Sequence, residues 1–125
     1  MKKYIAILIL VAMTWALFGC AHQDEWTSQD TKFQIAVTIA MAADGYTSSK
    51  IQYTEGMQEV GLIAKHFLGP QPSTSDVWMY TGTLMISSYF ISRALPSKWR
   101  PYWQVFLITD HGTAAITNCQ QDLGC

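Results

Sequence analysis

The 125 residues carry eight basic and nine acidic side chains, a formal net charge of −1, and three cysteines. A chain of this length makes one small domain. Lys2 and Lys3 apart, the nearest thing to a basic patch is Lys98-Trp99-Arg100, which holds too few charges for a nucleic-acid footprint, so nucleic acid is excluded as a partner.

The N-terminus has the three zones of an export signal. Lys2 and Lys3 are the positive region, Tyr4 to Leu17 is uncharged and apolar apart from Thr14, and Phe18-Gly19 puts a small residue before Cys20. The apolar run falls short of the roughly 20 residues that cross a bilayer. The alternative is an uncleaved N-terminal membrane helix, with the short span against it. The stretch Leu17-Phe18-Gly19-Cys20 resembles the lipobox of bacterial lipoproteins. The resemblance implies that residues 1–19 are a signal peptide, that the Cys20 thiol takes a diacylglyceryl group, and that its new amine is acylated. Those chains would be the only cofactor-like groups. At about 0.8 kcal/mol per buried CH₂, two or more of them hold a protein stably on a membrane. In enterobacterial lipoproteins an aspartate after the cysteine favours inner-membrane retention. Ala21 stands here, which resembles the kind sorted to the outer membrane, facing the periplasm, with the inner membrane as the alternative.

The mature chain would be the 106 residues from Cys20 to Cys125, with six basic against nine acidic side chains and a net charge of −3. Residues 20–29 read as a short lipidated tether and 30–125 as a helical domain. The expected fold class is all-α, a small bundle of three main helices at about 28–53, 73–95 and 98–118, with a short helix at 58–68. Thr27-Ser28-Gln29-Asp30 is a capping box that starts the first helix. Phe33, Val37, Ala40, Asp44, Thr47 and Ile51 recur at helical spacing along it. Gly45 marks a kink or a close approach of another helix.

Residues 54–73 form a connector rich in glycine and proline. It carries Glu55, Glu59, Lys65 and His66, where a binding loop is to be sought. Ser73-Thr74-Ser75-Asp76 caps the second main helix, which has no charge from Val77 to Ser92. Gly82, Ser87, Ser88 and Ser92 are small enough to admit a neighbouring helix. Pro96 ends that helix, and Pro101 is tolerated only in the first turn of the next. Trp99, Arg100, Tyr102 and Trp103 suit a membrane interface, where amphipathic rings sit among head groups. They equally suit a helix start packed into the core. On the last helix Phe106, Asp110, Thr113, Ala114 and Thr117 are expected to share the inward face.

Asp44 and Asp110 then fall on inward stripes, and a buried carboxylate needs a partner. Arg93, His66, His111, Thr47 and Asn118 are available. Asp44, Thr47, Glu59, His66, Asp110 and Asn118 are therefore the candidate polar centre, either an ion or small-molecule site or a network that registers the helices. Asp110-His111 is no dyad by spacing, since helix neighbours point about 100° apart. Ser87 and Ser88 lack a GxSxG elbow for hydrolase chemistry. Cys119 and Cys125 remain as an even pair for a disulfide, or as two free thiols. No CxxC or HxxxH spacing offers a metal site.

Most of the mature chain also resembles small helical proteins of bacteria and their phages. The resemblance rests on Asp44-Gly45-Tyr46-Thr47, Glu59 with Leu62-Ile63, Leu68-Gly69-Pro70-Gln71-Pro72-Ser73, Leu95-Pro96-Ser97-Lys98-Trp99-Arg100, and Asp110 with Asn118. Val60-Gly61 departs from the Asn-Pro of that pattern. The resemblance implies a fold and no reaction. Function is thus expected to be non-enzymatic: a lipid-anchored envelope protein that binds membrane lipid or an envelope partner, and, if phage-borne, serves superinfection exclusion. The alternative is a small membrane-associated enzyme or ion-binding protein using Asp44, Glu59, His66 and Asp110.

Overall fold

A computed structural model describes residues 24–59, 61–121 and 125. The expected signal peptide and lipobox, with Cys20, lie outside the described residues. Among those described the fold is all-α, with four helices: α1 (Ser28–Ser48), α2 (Leu62–Leu68), α3 (Thr74–Ala94) and α4 (Arg100–Gln120).

α1 begins where a hydroxyl and a carboxylate can serve its free N–H groups. Thr27 Oγ1 accepts from the Asp30 N–H at 3.1 Å, and the Asp30 carboxylate accepts from the Thr27 N–H at 2.9 Å. The helix ends at Ser48 rather than near 53, because Ser49 and Thr54 turn their hydroxyls onto the carbonyls of Tyr46 and Lys50. A 3-10 turn, Ile51–Tyr53, follows instead and buries Ile51. Gly45 makes no break. A Cβ there would stand 2.6 Å from Thr81 Oγ1, so the missing side chain is what lets α3 cross α1 at that point. α3 is capped by Ser73, whose Oγ accepts from the Asp76 N–H, and it stops before Pro96. α4 starts at Arg100, two residues later than expected, with Pro101 in its first turn.

α1 is the central element. It packs along α4 and, less extensively, against α3, while α3 and α4 touch little. The apolar core is correspondingly small: Val37, Met41 and Leu107, with Leu84, Met85, Trp103 and Ile108 packed around them. The expected inward stripe of α1 holds in part: Val37 and Thr47 are buried, as is Ile51 in the 3-10 turn, but Phe33, Ala40 and Asp44 are half-buried, and the buried line runs through Asp30, Gln34, Val37, Met41 and Gly45. The expected stripe of α4 does not. Phe106, Asp110, Thr113 and Thr117 are exposed, and the buried side is Arg100, Gln104, Leu107 and Ala115, with His111 and Asn118 half-buried on the same line. One residue along a helix is about 100° of rotation, so a one-position error in phase turns the face outward. α4 has apolar residues on every side, which leaves its phase to be chosen by the partner helix.

Candidate functional site

Two groups of side chains stand out, a polar seam between α1 and α4 and a corner where the N-terminal segment meets the α3–α4 turn.

The seam is ordered by a heptad. Gln104, His111 and Asn118 are seven residues apart and so lie on one face of α4, against α1. His111 Nδ1 lies 2.7 Å from the Asp44 carboxylate, with both side chains largely covered. Asn118 Nδ2 donates to Thr47 Oγ1 at 3.0 Å and to Ser48 Oγ at 3.3 Å. At the other end Gln104, fully buried, donates to the Asp30 carbonyl at 3.1 Å and to Gln34 Oε1 at 3.3 Å. Gln34 in turn donates to Ser88 Oγ of α3 at 3.3 Å. Among the described residues Gln104 Oε1 and Trp103 Nε1 are buried without a hydrogen-bond partner.

The structure therefore brings together Asp44, Thr47 and Asn118 of the expected polar centre. It joins them to His111 and Ser48 rather than to His66 or Asp110. Asp110 is exposed, a consequence of the α4 phase. His66 is exposed on α2, edge-on to Phe67 with ring centroids 5.4 Å apart. Glu59 is buried for a local reason: its carboxylate accepts from the Gly61 N–H at 2.8 Å, and its own N–H donates to the Pro70 carbonyl at 2.9 Å, closing the connector. Tyr80 feels the charge of three of these acids. It is half-buried, and burial first, then the fields of Glu59, Asp44 and Asp110, raise its phenol above the ordinary 10.0. Among the described residues no serine, threonine or cysteine is hydrogen-bonded to His111, and no group of three His, Cys, Asp or Glu side chains could hold a metal ion. The seam can register helices; it does not assemble a nucleophile and base.

The corner is built on Arg100. Expected at a membrane interface, this side chain is instead 1% exposed. Its Nη1 donates to the Glu25 carbonyl at 2.7 Å, its Nη2 to the Asp24 carbonyl at 3.0 Å and its Nε to the Leu95 carbonyl at 2.9 Å, while the Asp30 carboxylate lies 3.4 Å away. The planar fork matches this set of acceptors, which an ammonium could not. Trp26 lies beneath both Arg100 and Arg93, with guanidinium carbons 5.6 and 5.0 Å from its ring centroid. Asp24 accepts from the Ser97 N–H at 2.6 Å, and that bond, first among the causes, holds its carboxyl below the ordinary 3.8. The residues expected to be a free tether are thus fastened to the fold from Asp24 onward, and Ser28 and Gln29 already belong to α1.

The aromatic cluster divides. Trp103 packs on the core, whereas Trp99 and Tyr102 are 55% and 71% exposed. Beside Trp26 an apolar hollow of about 250 Å³ is lined by Gln34, Ile35, Thr38, Ile39 and Tyr89 together with Thr31. The C-terminal cysteines, Cys119 and Cys125, are joined as a disulfide with Cα atoms 5.4 Å apart.

Gln104, Arg100 and Tyr80 lie outside the expected polar centre, and His111 enters it only as a partner. The heptad through Gln104, His111 and Asn118 is the sequence signal that points to Gln104 and His111. In comparisons with protein-family models, curated proteins and solved structures, nothing matches the chain.

Proposed function

We propose that the chain is a lipid-anchored protein of the cell envelope with a non-enzymatic role, held on a membrane through acyl chains on Cys20 and acting by binding membrane lipid or an envelope partner. The observation that carries this reading is the largely apolar outer surface of α3 and α4, on which Asp76 and Asp110 are exposed acids. Met79, Ile86, Tyr102, Phe106 and Ile116 are each more than half exposed, and α3 has no charge from Val77 to Ser92. Apolar surface on this scale marks a place where another molecule or a membrane is met. Among the described residues no helix is long and apolar enough to cross a membrane. An acyl anchor, as the lipobox of Leu17 to Cys20 implies, would supply the attachment without a protein span. Ala21 after the cysteine favours the outer membrane, facing the periplasm. The enzyme alternative gains no support from geometry, because His66 and Asp44 engage different elements. Were the gene phage-borne, blocking receptor or injection machinery would fit the same reading.

Intact-mass spectrometry of the membrane-extracted protein tests it. The mass of residues 20–125 plus acyl chains is expected, and Cys20→Ser protein should leave the membrane fraction. A full-length mass without lipid would overturn the proposal.

A further inference from the structure

The Arg100 clamp decides where the anchor enters the fold. Carbonyls of Asp24 and Glu25 are held by its guanidinium, and the Asp24 carboxylate is held by the Ser97 N–H, so the chain arrives against the turn between α3 and α4. Asp24 follows Cys20 by four residues, and an extended chain covers at most about 3.5 Å per residue, which confines the Cys20 attachment point to within about 14 Å of Asp24. α4 runs 21 residues away from this corner, about 31 Å at 1.5 Å per residue. Its far end carries the disulfide, and the connector and the start of α3 lie at that same end of the bundle, where Asn118 meets Thr47 and Thr74 meets Gln52.

We infer that the corner formed by Lys98, Trp99 and Tyr102 lies in the head-group layer of the bilayer that holds the Cys20 lipid, with the connector end directed away from it. The inference rests on the lipid-anchor reading and adds which surface meets the membrane. Trp99 and Tyr102 project amphipathic rings from the first turn of α4, 55% and 71% exposed, with their centroids 5.9 Å apart. Such rings settle between acyl chains and water. Lys98, also exposed, places an ammonium within reach of lipid phosphates. Glu25 is exposed on the adjoining segment, so the rings, rather than net charge, carry the attraction. Arg100 contributes by position only, since it is spent on the clamp.

The test uses acylated full chain purified from membranes and reconstituted into vesicles of phosphatidylethanolamine and phosphatidylglycerol, a fraction of which is brominated on the acyl chain. Trp99→Phe should remove at least about half of the bromine quenching of tryptophan fluorescence, and Trp78→Phe, near the far end, should leave it unchanged. Lys98 should be shielded from a water-soluble amine reagent in vesicles relative to detergent, while Lys65 in α2 stays reactive; this readout does not depend on the tryptophan variants folding. Acylated protein in which Trp99 is unquenched, or Lys98 as reactive as Lys65, would overturn the corner assignment and leave the anchor standing. Unacylated Cys20 would overturn both.

Discussion

Arg100→Lys is the change that best tests the reasoning about the corner. The arginine makes three hydrogen bonds to carbonyls on two separate segments and faces Asp30 at 3.4 Å, all at 1% exposure. Hydrogen bonds to a charged group contribute about 1.5–3 kcal/mol each, and they do not add in full. Removing one partner of a buried ion pair costs about 3–5 kcal/mol when the other is left bare. Here Asp30 keeps its bonds to the Thr27 N–H and hydroxyl, so the lower part of that range applies. Lysine retains the charge but can reach only part of the acceptor set. The expected loss is about 3 kcal/mol. In a domain of this size that lowers the melting temperature by roughly 15 °C. Thermal unfolding of the detergent-solubilised protein, followed by circular dichroism, measures the global effect. Hydrogen exchange at the Thr27 and Ser97 amides, which donate to the Asp30 and Asp24 carboxylates, measures the local one, which should rise first. A variant within about 1 kcal/mol of the parent, with those amides still protected, would refute the clamp.

Gly45→Ala should destabilise by about 1–3 kcal/mol, since its Cβ meets Thr81 Oγ1 at 2.6 Å and outweighs the gain in helix propensity; adding Thr81→Ala should recover most of it in the same melt. Gln104→Leu alone should cost about 1–3 kcal/mol by leaving the buried Gln34 Oε1 without its donor, whereas Gln34→Leu with Gln104→Leu should come out near neutral, as a double-mutant cycle by urea unfolding will read. Because the Asp24 carboxyl is lowered in the folded state, its contribution to stability is present above 3.8 and is lost as pH falls below 3.8 through the lowered value. Asp24→Asn should flatten the acid limb of a stability–pH curve by that increment. Tyr80 has the opposite sign of consequence: raised above 10.0, it keeps its neutral form in the fold, so stability should fall as pH climbs past 10.0, and Tyr80→Phe should blunt that loss in alkaline melts.

Local chemistry determined the helices. Thr27 with Asp30, Ser73 with Asp76, and Pro96 mark starts and a stop that depend on neighbours within one turn, and all three act at those places in the structure. The α1 face is legible in part: Val37 and Thr47 fall on the expected period, while Gln34, Met41 and Gly45, one position beyond Phe33, Ala40 and Asp44, carry the rest of the buried line. The phase of α4 is not. Its exposed Phe106 and Ile116 and its buried Gln104 invert the usual sorting by polarity, so only packing against α1 tells inside from outside. That is why the sequence pattern points Asp110 inward and leaves His111, the real partner of Asp44 67 residues away, off the stripe. Arg100 follows the same logic: in the sequence it is one of two cations beside tryptophans, and only the return of Asp24 and Glu25 to the α3–α4 turn makes it a buried clamp. The anchor motif is the converse case. The proposed chemistry needs only four consecutive residues, Leu17 to Cys20, so sequence alone suffices to suggest it, while which face of the bundle such an anchor would bring toward a bilayer depends on contacts more than 70 residues apart along the chain.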